Sequence, residues 1–174
     1  LHKRDHSTKT TLPAIFEFVL RASQNRIEPY IVSASTIFAK NQILKHWSSA
    51  EMSDSDRTLI RARIFECIFN TAVNVPESLY AIAQFVSMQD FPSKWPSFLV
   101  DLKSNLDPSS PVSTFRCFKI LDLAFDYIRK CPKSNDSVSI VLELTNTFAE
   151  ILLPMLELSS KELAISSNVE TRLE

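Results

Sequence analysis

The sequence predicts an all-α chain built from antiparallel helix pairs. Three observations carry that prediction. The 174 residues include no glycine, where average usage of roughly 7% would supply about twelve, so the tight glycine turns of β-hairpins are missing. No segment of useful length alternates apolar and polar residues with a period of two. The prolines, nine in all, mostly stand beside stretches whose apolar residues recur at i, i+3 and i+4.

Taken in order, Thr11-Leu12-Pro13 opens a first helix with Leu12, Ile15, Phe16, Val19 and Leu20 on one face. Glu28-Pro29 opens a second, whose stripe runs through Ala34, Ile37, Phe38, Asn41 and Leu44 to Trp47. Ser53-Asp54-Ser55-Asp56 supplies cap candidates for a third, carrying Leu59, Ile60, Ile64, Cys67 and Ile68 as packing residues. Asn74-Val75-Pro76-Glu77 places a cap, an early proline and an acid before Leu79, Ile82, Ala83 and Val86. A fifth helix follows Asp90-Phe91-Pro92, capped by Asp90 or Ser93, with Trp95, Phe98, Leu99, Leu102 and Leu106. Ser110-Pro111 starts a sixth through Phe115, Phe118, Leu121, Phe125 and Ile128. After Cys131-Pro132 a seventh runs from about Asp136 to Leu158, apolar almost all round, with a kink expected at Pro154.

Short connections make sequential helices antiparallel neighbours. Pairing the second helix with the third, the fourth with the fifth and the sixth with the seventh gives units of about 40–47 residues, the HEAT period. An ordinary globular bundle of seven helices is the competing reading of the period alone. In the HEAT-like stack Ile37, Ile64, Ile82, Leu99, Leu121 and Phe148 are expected in a continuous core.

Composition excludes several function classes. Without glycine there is no phosphate-cradling loop, dinucleotide fingerprint or nucleophile elbow. Nineteen basic against twenty acidic residues give a net charge of −1, so no global field favours nucleic acid or an anionic membrane. Apolar runs such as Ile151-Leu152-Leu153 fall far short of the roughly twenty residues that span a bilayer, and no signal peptide is visible. The chain begins without Met, its first being Met52, which fits a processed end or an excerpt of a larger protein. Cys67, Cys117 and Cys131 are odd in number and lack a C-x-x-C spacing, so they read as reduced thiols of a cytosolic or nuclear protein.

No constellation of catalytic, metal-ligating or cofactor-binding residues emerges. His2, His6 and His46 have no cysteine at a metal-site spacing. Asp122 and Asp126 lie one turn apart, but Arg129 and Lys130 follow at i+3 and i+4 from Asp126, the pattern of an ion-paired solvated face. The chain is read as a non-enzyme.

Two stretches carry a family resemblance. Ala34-Ser35-Thr36-Ile37-Phe38-Ala39-Lys40-Asn41-Gln42-Ile43-Leu44-Lys45-His46-Trp47 resembles the "A-a-x-x-x-K-N-x-I-x-x-x-W" signature of the importin-β (karyopherin-β) N-terminal region. Some fifty residues on, Gln89-Asp90-Phe91-Pro92-Ser93-Lys94-Trp95-Pro96-Ser97-Phe98-Leu99 is similar to that family's "D-[FW]-P-x-x-W-P-x-L-L". The signature residues are Lys40, Asn41, Trp47, Asp90, Phe91, Pro92, Trp95 and Pro96, with Asn41 on the apolar stripe as an inter-helix hydrogen-bonding post, and with Trp47 and Trp95 as anchors between repeats. Trp95 is expected against the preceding helix, near Leu79 to Val86. The branch most similar is that of the importin-α re-exporter and the larger importins. The chain departs from the family at Val32, where an Arg is usual, and the first helix of the first repeat is not recognisable in Leu1–Thr11. The Leu12–Ser23 helix is therefore expected to expose its apolar face or to pair it with another chain.

The resemblance implies a HEAT-repeat superhelix over 12–158, with a flexible segment over 1–11 and a new helix or fraying end over 159–174. It implies a shuttling transport receptor of nucleus and cytoplasm whose partners are the GTP form of the small GTPase Ran, protein cargo and FG-repeat nucleoporins, with no nucleic acid, membrane or cofactor. A HEAT scaffold unrelated to Ran is the alternative. The Ran-contacting strip is expected on polar stripes of successive repeats: Glu17 and Arg21 with Gln24, then Arg63, Glu66 and Asn70, then Asp101 with Ser97, Ser104 and Asn105.

Overall fold

A computed structural model of the chain describes residues 8–24, 27–71, 74–130, 138–150, 153 and 157. Among them the secondary structure is helical throughout: α1 Thr8–Gln24, α2 Pro29–His46, α3 Asp54–Asn70, α4 Glu77–Asp90, α5 Phe98–Ser104, α6 Pro111–Lys130 and α7 over 138–150. The expected kink at Pro154 and the segment 159–174 lie outside the described residues, as do residues 1–7.

The helices form two layers. Along one, α2 packs on α4 and α4 on α6; along the other, α1 packs on α3. Cross-layer contacts join α1 to α2 and α3 to α4, so the packed helix pairs are α1–α2 and α3–α4. This corrects the expected pairing of the second helix with the third and the fourth with the fifth, because α2 and α3 lie in different layers and each packs mainly on the helices beside it. The short α5 extends the α1–α3 layer, since Phe98 and the turn residue Trp95 stack on Phe65 of α3 at 5.8 and 5.3 Å between ring centroids. Helix α7 closes the far end: Ile140 and Leu144 line a small cavity with Met88, Phe91, Phe98 and Ala124, and Lys103 reaches Glu150 at 3.7 Å. This is the all-α HEAT-type stack, with Ile64, Ile82, Leu99, Leu121 and Phe148 in one core.

Local signals explain most starts. Ser53 caps α3 in a full capping box, its hydroxyl accepting from the Asp56 amide at 3.1 Å while Asp56 accepts from the Ser53 amide at 3.4 Å. Pro29 opens α2, and the Ser110 hydroxyl accepts from the Ser113 amide at 3.3 Å at the start of α6. Pro13 does not open α1, which starts earlier, at Thr8. Helix α4 begins at Glu77 with no side-chain cap, so Asn74 does not act as one.

Four packing expectations are corrected. Ile37 is not core; it is 49% exposed. Asn41 is exposed as well, because α2 turns Thr36, Ala39, Ile43 and Trp47 inward rather than the Ala34–Ile37–Asn41–Leu44 stripe. Leu59 is 39% exposed, and Phe65 takes the packing place on α3 instead. The apolar face of α1 is not left open: Phe16 and Val19 are buried between α2 and α3.

Candidate functional site

Of the signature residues, Trp47 and Asp90 are joined through Arg61, and Phe91 and Trp95 pack on the turn that follows Asp90. Trp47 ends α2 and is buried. Arg57 of α3 donates from Nε to the Trp47 carbonyl and from Nη2 to the Ser49 carbonyl, both at 2.8 Å. One turn on, the Arg61 guanidinium lies over the Trp47 ring at 5.9 Å and donates from Nε and Nη2 to Asp90 Oδ2 at 2.9 and 2.6 Å. Asp90 is buried. It does not cap the fifth helix with its side chain, and neither does Ser93; α5 starts only at Phe98, after a turn in which the Lys94 and Trp95 amides donate to the Asp90 carbonyl.

Trp95 is buried in an aromatic cluster with Phe65 and Phe98, and its Nε1–H donates to Asp101 Oδ2 at 2.7 Å. The rings it meets place the anchor on α3 and α5, a correction to the expected seat near Leu79–Val86. Pro92 and Pro96 are exposed turn residues, Phe91 is half-buried against Phe98 at 5.3 Å, and Lys40 is half-buried on α2. The signature thus does structural work: it joins α2, α3, the end of α4 and α5. Arg57, Arg61 and Phe65 complete it and were not identified from sequence. A buried acid at Asp90 demands a cation, which is the signal that leads to Arg61.

The polar stripes on α1 and α3 do meet. Arg21 Nε donates to Glu17 Oε1 at 2.9 Å, Glu17 Oε2 faces Arg63 Nη2 at 3.9 Å across the two helices, and Arg63 bonds Glu66 one turn along. The bond and the charge of Glu66 hold the Arg63 pKa above its ordinary value. Asn70 is exposed at the end of α3. Exposed ion pairs of this kind contribute little to stability, about 0–1 kcal/mol each, so the ladder is available for recognition. Asp101 stands apart from it. Its Oδ2 accepts from Trp95 and, at 2.8 Å, from the Ser97 hydroxyl, and it lines a cleft of about 380 Å³ between α3 and α5 with Arg61, Lys94, Ser104 and Asn105.

Among the described residues no group of three His, Cys, Asp or Glu side chains is placed to hold a metal ion, and no helix is long and apolar enough to cross a membrane.

No family model matches the chain. It is 27% identical over 145 residues to exportin-2 of Danio rerio, covering 80% of this chain and 15% of that protein. It is 28% identical over 89 residues to the importin-alpha re-exporter of Schizosaccharomyces pombe (48% and 9%). A probable importin-7 homolog of Dictyostelium discoideum is 21% identical over 149 residues (83% and 14%). The chain therefore spans about one-seventh or less of the length of these relatives. The chain is thus similar to export and import receptors of the importin-β family alike, over most of its length and on a two-layer helical stack.

Proposed function

We propose that this chain is part of a nuclear transport receptor and that the Arg21–Glu17–Arg63–Glu66 ladder, extended by Asn70, belongs to its contact with the GTP form of Ran. The single observation that carries the reading is the similarity to receptors named for export and for import, which share this stretch while differing in direction. A surface common to both directions fits the common partner better than it fits any cargo. The ladder is suited to protein recognition: its charges alternate and are partly exposed, so a partner gains complementarity without desolvating a buried pair. Asp101 and the α3–α5 cleft border the same layer and fit the edge of that contact.

Cargo would bind elsewhere along the full receptor, and FG-repeat nucleoporins would take apolar grooves on its outer surface, with shuttling between nucleus and cytoplasm as the consequence. Coupling of Ran and cargo follows from the repeat architecture, in which small rotations at each hinge accumulate. The test is a pull-down with Ran loaded with GTP or with GDP. Retention of the GTP form alone is expected; equal or absent retention of both favours a HEAT scaffold unrelated to Ran.

A further inference from the structure

The connection between α5 and α6 carries a motif that neither the helical stack nor the transport reading uses. Of the nine prolines only Pro111 follows a Ser or Thr, so Ser110-Pro111 is the one such step in the 174 residues. A second proline, Pro108, stands two residues before Ser110. Each ring fixes its own φ and biases the residue before it toward extended backbone. Pro108-Ser109-Ser110-Pro111 is therefore pre-shaped for an extended, polyproline-like recognition groove.

No residue of this turn is buried. Asp107, Pro108, Ser109, Pro111 and Val112 are exposed, and Ser110 is half-buried. The Ser110 amide donates to the Asp107 carbonyl at 3.1 Å, and the Ser109 amide and hydroxyl donate to the Asp107 carboxylate at 2.9 and 2.6 Å. Opening the turn into a groove exchanges these bonds for others and uncovers no core. The Ser110 hydroxyl accepts from the Ser113 amide at 3.3 Å, and among the described residues its own proton has no acceptor. The turn lies inside the described stack, with α7 beyond it.

We propose that Ser110 is the phosphate acceptor of a proline-directed protein kinase. In the transfer Ser110 Oγ bonds to the γ-phosphorus of ATP, and the bond from that phosphorus to the bridging oxygen breaks. ADP leaves, and the hydroxyl proton passes to the base of the kinase. Pro111 supplies the selectivity because proline has no backbone N–H. Any other residue there would carry an unpaired donor into an apolar pocket. Ser109, which is followed by Ser110, lacks that feature and is not an acceptor. The product suits the fold. Its phosphate stands at the positive end of α6, a helix of 20 residues, with the Ser113 amide already placed to donate. Asp107, the one acid of the turn, is exposed, so solvent and salt screen its repulsion. The inference is independent of the transport reading.

The full folded chain, incubated with magnesium-ATP and a purified mitogen-activated protein kinase, tests the proposal. Peptide mapping by mass spectrometry is expected to find a single phosphate, on Ser110, with the helical circular dichroism retained. Pro111→Ala should slow its incorporation at least tenfold, and Pro108→Ala several-fold, while Ser109→Ala leaves the rate unchanged. No incorporation into the folded chain, or a phosphate on another residue in place of Ser110, overturns the proposal. So does modification that needs the chain unfolded in urea, a rate indifferent to Pro111→Ala, or loss of helix on phosphorylation.

Discussion

Arg61 places two N–H groups on one oxygen of Asp90, across 29 residues of sequence, at 2.9 and 2.6 Å. The acid is 1% exposed at the end of α4 and the cation lies mid-way along α3, so the pair fastens two helices that pack on each other across the layers. Removing one partner strands a buried charge. Asp90→Ala is expected to cost about 3–5 kcal/mol, read as a fall in the denaturant midpoint. A double-mutant cycle with Arg61→Ala should show that most of the loss is shared; additive losses would mean that the two residues act separately.

Trp95 serves α3 and α5 together, through Phe65 and Phe98 at 5.3 and 5.1 Å and through Asp101 at 2.7 Å. Trp95→Ala is expected to destabilise by roughly 3–5 kcal/mol, the range for a buried large ring. Trp95→Phe keeps one ring but loses the indole donor and part of the ring volume, a cost of about 1–3 kcal/mol. Thermal melts distinguish this anchor from a partner-binding side chain: an unchanged midpoint with lost partner binding would contradict the packing role.

Much of the stack was legible because its punctuation is local. Ser53 with Asp56, Pro29 and Ser110-Pro111 mark helix starts through chemistry contained within four residues. Which face of α2 turns inward was not legible. Both the Ile37–Leu44 stripe and the Ala39–Ile43–Trp47 stripe are largely apolar, so periodicity offers two answers, and the choice is made by α1 and α4. Asp90 was misread for a related reason. A proline turn beside an acid resembles a helix start, while its true partner lies on another helix and leaves no mark in the local pattern. The α1–α3 ladder was legible in membership; the diversion of Asp101 to Trp95 was not, since it depends on the turn between them.

Burial pushes the thiols of Cys67 and Cys117 from the ordinary 9.0 up to about 12. The folded chain keeps these protons to higher pH than the unfolded chain does. Their contribution is therefore constant below about pH 9 and is lost as pH rises toward 12. Stability should fall across that window in denaturant titrations, and Cys67→Ala with Cys117→Ala should flatten the slope there. Ellman's reagent at pH 8 should leave both thiols unmodified until the chain unfolds; rapid native-state labelling of Cys67, whose Sγ–H donates to the Phe16 carbonyl at 3.5 Å, would contradict its place in the core.

Charge reversal on the ladder separates recognition from folding. Glu17→Lys turns the Arg21–Glu17–Arg63 run into three neighbouring cations, and Glu66→Lys removes the pair that follows. Both sites are exposed enough that the folding cost stays near 1 kcal/mol each. Asp101 is left intact, because reversing it would unseat Trp95 and confuse lost binding with lost structure. The double variant Glu17→Lys, Glu66→Lys should keep its circular dichroism and lose at least tenfold in affinity for Ran loaded with GTP. Restoring alternation by adding Arg21→Glu and Arg63→Glu should return part of that affinity if the pattern matters, and none if single residues do. Full binding by the double variant would move the Ran contact off α1 and α3, toward the α3–α5 cleft that Lys94 and Asp101 line.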